Sequence, residues 1–283
     1  MPELPEVEHL RRSLEPRLLG AAVKIVRLRR RDVLTRSKGA HGRSAHADLL
    51  RGQQIQELRR HGKNLALIGS SGGVVNIHLG MSGQLRVLKN GIASSRLDHV
   101  HCEWRLLSPD GPCTLIFRDP RRFGGLWTFP TLERLYQERW NSLGPDALTI
   151  CVESLTARLA STHRSIKAAL LDQSILAGVG NIYADEALFA AGIRPSAITG
   201  KLGCAQIARL VKALNQVFQK ALAAGGSTLR SYADADGRSG SFTAKHQVYG
   251  RGGLPCVRCG KMLRKTSVCQ RTTVHCPSCQ SPE

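Results

Sequence analysis

Two cysteine pairs carry the most specific chemistry in the sequence. Cys256-x2-Cys259 and Cys276-x2-Cys279 stand sixteen residues apart. Each pair sets two thiolates on one tight turn, and two such turns complete a tetrahedron around Zn2+. Four sulfurs leave no open coordination position, so the expectation is one structural Zn2+ that holds a small β-hairpin with too little core to fold alone. An iron–sulfur site is the other reading of this spacing, and His275, beside Cys276, is a competing ligand. Between the pairs, Gln270-Arg271-Thr272-Thr273 puts one cation near the tip of the finger, a natural phosphate contact. Cys269 reads as a bystander. Cys102, Cys113, Cys151 and Cys204 are scattered, and an odd total of nine does not suggest a disulfide framework.

A zinc ribbon alone is not an enzyme, so the rest of the chain must say what the finger serves. Lys and Arg number 41 against 21 Asp and Glu, a formal net charge of +20, which argues for a polyanionic partner. The cations fall in short clusters (Arg29-Arg30-Arg31, Arg59-Arg60, Arg121-Arg122), the pattern of a folded binding surface rather than a basic tail. Aromatic residues at 5% argue against a single-strand binder built on stacking platforms. No apolar run approaches the ~20 residues of a membrane span, and the start Met-Pro-Glu-Leu-Pro-Glu is not a signal peptide, so an intracellular, cytoplasmic protein is expected.

The elements that would position this chemistry fall into blocks. Glu6 to Leu18 reads as a helix, with Val7, Leu10, Leu14 and Leu18 on one stripe and Pro5 in a first-turn position. Segments 23–28, 65–68, 74–79, 84–88, 100–107, 114–117 and 126–129 read as strands; in 100–107 the apolar residues alternate with His101, Glu103 and Arg105. Short strands joined by turns favour an antiparallel β-sandwich over 1–131. Thr35 to Ala47 reads as an exposed loop. From Leu132 the spacing turns helical, at 132–140, 152–160, 165–173, 182–191 and 204–223. The fold class is therefore α+β: a sandwich with flanking helices at 1–131, a helical domain at 132–225, a polar mobile loop at 226–245 and the cysteine finger at 246–283. Gly178-x-Gly180 is not a dinucleotide fingerprint, because Tyr183 occupies the third glycine position and no strand precedes it.

Six motifs in order carry a resemblance that covers nearly the whole chain: Pro2-Glu-Leu-Pro-Glu-Val-Glu8, Arg60-His-Gly-Lys63, His78-Leu-Gly-Met-Ser-Gly83, Asp119-Pro-Arg-Arg-Phe-Gly124, Leu171-Asp-Gln followed by Ala177-Gly-Val-Gly-Asn-Ile-Tyr-Ala-Asp-Glu186, and Gln247-Val-Tyr-Gly-Arg251. The sequence resembles the formamidopyrimidine-DNA glycosylase family. The resemblance implies a bifunctional glycosylase and abasic-site lyase that acts on oxidised purines in damaged double-stranded DNA, as a monomer and away from membranes. It implies that Met1 is removed and that the Pro2 amine is the nucleophile. An α-amino group titrates near ~8 against ~10.4 for lysine, so about a tenth is neutral at pH 7. Its attack on a sugar C1′ gives an iminium that cannot lose its charge through nitrogen, acidifies C2′ and drives loss of the 3′ phosphate.

The same resemblance implies that Glu3 manages protons at the sugar ring oxygen, that Lys63 holds a phosphate and assists β-elimination, and that Arg271 holds a phosphate and aids δ-elimination. The plainer reading of Glu3, Glu6 and Glu8 is that acids favour a helix start. Reaching C1′ requires flipping the nucleotide out of the stack, and Met81, Arg121 and Phe123 match the family's void-filling trio, with Arg122 on a phosphate. Asn181 would donate from the turn between two helices, with Arg164, Lys167 and Tyr249 adding phosphate contacts and 226–242 closing over the base. One departure stands out: Leu97 occupies a place where a histidine is expected, and His99, read as facing the same side of a strand, would substitute in part. Two rivals remain: the pyrimidine-preferring endonuclease VIII branch of the family, and a non-catalytic zinc-ribbon DNA-binding protein.

Overall fold

The computed structural model describes residues 1–37, 44–89, 97–228 and 232–280. The chain divides into two compact units, the first formed by Met1–Ser142 with Gly225–Gly240, the second by Leu143–Ala224 with Ser241–Glu283.

In the first unit, α1 (Leu4–Leu18) starts two residues before the sequence suggests, because Glu6 reaches back to the Glu3 amide and caps the first turn. Two sheets follow. One has four antiparallel strands in the order β1 (Ala22–Leu28), β7 (Val100–Ser108), β8 (Gly111–Arg118) and β6 (Gln84–Lys89). The other has the order β2 (Leu34–Arg36), β9 (Gly125–Phe129), β5 (Val74–His78), β4 (Asn64–Gly69) and β3 (Ile55–His61). All its pairings are antiparallel except β2 on β9, which is parallel. Leu10, Leu14 and Leu18 of α1, Leu58 and Leu67 of one sheet, and Trp104 and Phe117 of the other share one core. A short helix, α3 (Leu132–Glu138), completes the unit, with Thr131 capping its start.

Two strands escape sequence reading. β3 carries Arg59, Arg60 and His61, which hide its alternation, and β2 is three residues long and lies in the segment expected to be a loop. That expectation is corrected: Leu34–Arg36 is a strand, Ala45–Asp48 is a helical turn (α2) capped by Ser44, and 38–43 lie outside the described residues.

The second unit is helical, with α4 (Val152–Ala160), α5 (Ile166–Leu171), α6 (Asn181–Ala191) and α7 (Cys204–Ala223), and ends in the hairpin β10 (Arg264–Val268) with β11 (Arg271–His275). α6 stops at Gly192, whose φ of +72° makes the left-handed cap that glycine adopts without strain. The hairpin is small: Leu263, Val274, Cys256 and Cys276 pack with Val248 and Phe189.

Candidate active site and zinc centre

The chain start is built into the first unit rather than trailing from it. Pro2 is buried and Glu3 is 3% exposed. Glu6 is consumed in structure: its carboxylate accepts the Glu3 amide at 2.8 Å and the Ser227 amide at 2.7 Å, while its carbonyl accepts the Tyr232 hydroxyl at 3.0 Å. Glu8 is consumed too. Burial pushes its carboxyl up, but hydrogen bonds from Arg11, Arg12 and Arg60 outweigh that and hold it down to about 2. The helix-start reading therefore accounts for Glu6, an ion cluster accounts for Glu8, and Glu3 stays beside the terminal amine. That amine, at Met1, is held below its ordinary value, mainly by burial, with Lys63 and Arg121 acting in the same direction and Glu3 and Glu6 against it. Lys63, 7% exposed, sits in the β3–β4 turn after Gly62, whose φ is +56°. His78, at the end of β5, opens a motif but carries no sequence signal of a role of its own; burial, helped by Arg139 and Lys63, pushes its imidazole down to about 4, and its Nδ1 accepts the Gly80 amide at 3.2 Å.

Two turns of this unit hold large side chains out to solvent. Met81 is 41% exposed and Phe123 56%, so neither is core. The Arg121 guanidinium lies 4.7 Å from the Phe123 ring centre. Arg122, at φ +56°, pairs with Asp32 at 3.3 Å. His99 is exposed in a turn at φ +61°, outside β7, so the strand argument for its direction is corrected. Leu97 packs against Leu88, Val100 and Ile116, a use of the position that a histidine would not make. The described part of the segment after Gly225 is fastened down: Ala235 is in the core and its amide donates to Ser13, and Arg17 pairs with Asp236. Residues 229–231 lie outside the described residues.

In the second unit Asn181 is the first residue of α6, reached through Gly178 at φ +109°, and the turn is knotted by Gln173, which donates to the Leu171 and Val179 carbonyls and accepts the Gly178 amide. Asn181 donates to the Thr272 carbonyl at 3.0 Å. Arg164 is exposed and pairs with Asp172 at 2.5 Å. Lys167 is corrected: it is 0% exposed, pairs with buried Asp185 at 2.6 Å and donates to Thr273 Oγ1 and the Thr272 carbonyl, so it ties α5 and α6 to the hairpin and cannot reach a phosphate. Arg271 is the exposed first residue of β11, after a turn in which Cys269 and Gln270 both have positive φ. Glu186, another residue without a sequence signal of its own, accepts the amides of Gln247, Val248 and Tyr249 and so fixes the approach of Tyr249. Asn181, Asp185, Tyr249, Lys265 and Thr272 line a cavity of 310 Å³.

The four cysteine sulfurs lie within 4.8 Å of one another. Cys256 and Cys279 are 3.9 Å apart and Cys259 and Cys276 3.5 Å. A Zn–S bond of about 2.3 Å gives a tetrahedron edge of about 3.8 Å, while a disulfide would need about 2.05 Å. Amides of Arg258 and Cys279 point at the Cys256 and Cys276 sulfurs at 3.4 Å, which favours thiolates. The residues fit one structural Zn2+. Among the described residues His275 is outside this group, and so are the five other cysteines.

Comparison with known proteins agrees along the whole length. The family model of the formamidopyrimidine-DNA glycosylase N-terminal domain matches residues 1–126, and that of the formamidopyrimidine-DNA glycosylase H2TH domain matches 143–233. Formamidopyrimidine-DNA glycosylase of Shewanella halifaxensis is 40% identical, with 99% of each chain covered, and that of Neisseria meningitidis serogroup A is 37% identical, with 99% of this chain and 100% of the relative covered. Among solved structures, the MutM (Fpg) protein of Thermus thermophilus superposes with a TM-score of 0.83 at 38% identity over 100% of both chains. Lactococcus lactis Fpg in complex with abasic-site DNA gives 0.85 at 30%, covering 99% of this chain and 100% of that one.

Proposed function

The chain belongs to the formamidopyrimidine-DNA glycosylase family, and we propose that its Pro2 amine, freed by removal of Met1, is the nucleophile with which it excises oxidised purines, 8-oxoguanine and formamidopyrimidines, from duplex DNA. One observation carries the assignment: a proline and a glutamate buried at a capped helix start, in the same unit as the buried Lys63; the Met1 amine one residue before Pro2 is held below its ordinary value, chiefly by burial.

The neutral Pro2 nitrogen attacks C1′, and the bond from C1′ to the base breaks with the base taking up a proton. Glu3 protonates the ring oxygen as the sugar opens, leaving an iminium between Pro2 and C1′. Loss of the C2′ proton expels the 3′ phosphate; Lys63 steadies that phosphate and assists the proton's departure. Arg271 holds the second phosphate as it leaves in δ-elimination. Met81, Arg121 and Phe123 fill the gap left by the flipped nucleotide, and Arg122, His99, Arg164, Asn181 and Tyr249 hold the backbone. Cys256, Cys259, Cys276 and Cys279 would hold one structural Zn2+, which would fix the hairpin that carries Arg271. In this reading the unit formed by Met1–Ser142 with Gly225–Gly240 supplies the nucleophile and the void-filling side chains, and the unit formed by Leu143–Ala224 with Ser241–Glu283 supplies Arg271 and further backbone contacts. A DNA substrate supports a cytoplasmic, nucleoid-associated protein.

Borohydride should trap a covalent adduct between the protein and abasic-site DNA, with the label mapping to residue 2, and Pro2→Gly should reduce it at least tenfold. DNA binding without any adduct, or an adduct on another side chain, overturns the assignment and favours a non-catalytic binder. One relative, Lactococcus lactis Fpg, was solved with DNA containing an oxidised pyrimidine, so the substrate test sets 8-oxoguanine opposite cytosine against thymine glycol; faster excision of thymine glycol contradicts the purine preference.

A further inference from the structure

We propose that Asp119 is the positioning residue that sets the void-filling side chains, holding the Met81 turn and the Arg121–Phe123 turn as one rigid wedge; this rests on the function proposed above. The carboxylate is 0% exposed. Oδ1 accepts the Ser82 hydroxyl at 2.5 Å, one residue beyond Met81, and the Arg121 amide at 3.3 Å. Oδ2 accepts the Gly124 amide at 2.7 Å, one residue beyond Phe123. Ser82 closes the ring, its Oγ accepting the Arg121 amide at 3.2 Å. Asp119 is itself anchored: its carbonyl bonds His101 Nε2 at 2.8 Å and its amide donates to the His99 carbonyl at 3.1 Å. One buried group thus grips both turns within one residue of each exposed apolar tip.

The backbones leave no slack around this grip. Gly80 has φ +59°, and a Cβ there would run into the backbone of Phe123 and Gly124. A Cβ on Gly124 would lie 2.6 Å from the His78 carbonyl. The two turns therefore touch backbone to backbone, and Asp119 supplies the polar bonds that fix their register. Met81 and Phe123 gain nothing from exposure in the free protein, so something must hold them out. A wedge that enters a base stack keeps its binding energy only if little of it is spent ordering the wedge. Asp119 touches neither base nor sugar; it acts through Met81, Arg121 and Phe123.

Asp119→Asn keeps the shape but turns one acceptor into an NH2 group that faces a fixed backbone donor, the Gly124 amide in one orientation or the Arg121 amide in the other, although the Ser82 hydroxyl can turn to accept it. Single-turnover excision of 8-oxoguanine opposite cytosine in a duplex should fall at least tenfold, while cleavage of a single-stranded abasic site, which leaves no stack to fill, should stay within twofold. In a Met81→Ala/Arg121→Ala/Phe123→Ala background the same change should cost less than twofold, since the side chains it positions are gone. Unchanged duplex excision, an equal fall on both substrates, or full additivity in that background would each overturn the proposal. Should Asp119→Asn not fold, Ser82→Ala decides: about a threefold loss confined to the duplex lesion, restored by Ser82→Thr, supports it, and no loss overturns it. The unaltered enzyme run alongside separates the two levels, because an enzyme that traps no abasic DNA fails the proposed function, whereas one that traps normally with a silent Asp119→Asn fails only the positioning role.

Discussion

The two ends of the chain present functional residues by opposite means. Pro2 and Glu3 stand at the head of a helix whose apolar face is sunk in the core of the first unit, with Leu10, Leu14 and Leu18 all 0% exposed. Arg271 stands on a five-residue strand whose hairpin sits on a small cluster, Leu263, Val274 and the cysteines with Val248 and Phe189. The first support is spread over many contacts; the second is concentrated in one ion site and one buried ion pair, Lys167 with Asp185. Spread support fails gradually and concentrated support fails at once, and that contrast can be broken experimentally.

Metal removal should have the largest effect. Structural zinc contributes about 10–16 kcal/mol in isolated fingers. Chelation should release one zinc per chain, read with a chromogenic indicator, and abolish strand cleavage. Calorimetry should still show the melting transition of the first unit; its disappearance together with the hairpin would erase the contrast. Lys167→Met comes next: leaving Asp185 buried without its partner should cost about 3–5 kcal/mol in urea unfolding. Lys167→Met with Asp185→Leu should recover most of that loss, because the orphaned charge goes too. In the first unit Leu14→Ala should cost about 2–5 kcal/mol by cavity formation, with catalysis at 25 °C intact; a loss of trapping without unfolding would mean the chain start is less redundantly held than its core implies.

Glu8→Gln comes last, at about 1–3 kcal/mol at pH 7, because the carboxyl is buried against Arg60 but Gln keeps part of its hydrogen bonding. Its folded carboxyl titrates near 2 against an ordinary 4.5, so its contribution is complete above pH 4.5 and is lost as pH falls toward 2. The variant should therefore show a shallower loss of stability over that interval in acid titrations followed by circular dichroism.

Local pattern carried much of this into the sequence. α4 and α7 are legible to the residue because their apolar spacing is periodic and they lie wholly within one unit. The cysteine spacing foretells the sulfur tetrahedron, since a Cys-x2-Cys turn is a local object. What stayed hidden depends on partners far along the chain. Arg60 looks like a solvated or phosphate-bound cation until Glu8, 52 residues away, is seen beneath it. Lys167 looks the same until Asp185 and Thr273 close around it. His99 reads as strand-like from its two-residue spacing after Leu97, but a positive φ, which sequence signals poorly outside glycine, puts it in the turn before β7. Asp119 reads as a motif letter; its burial and its three donors come from two turns that only the sheet topology brings together.

Gly225–Gly240 belongs to the first unit although it follows the second unit's longest helix in the chain, and it contributes Ala235 to the first core. During synthesis, then, the first half of the polypeptide leaves the ribosome with a hole where Ala235 belongs. At about 5–20 residues per second, the roughly hundred residues still to come keep that hole open for some 5–20 seconds. The first half cannot be excised as a contiguous fragment without losing the piece, so any dissection of this protein has to stitch Gly225–Gly240 back onto the end at Ser142.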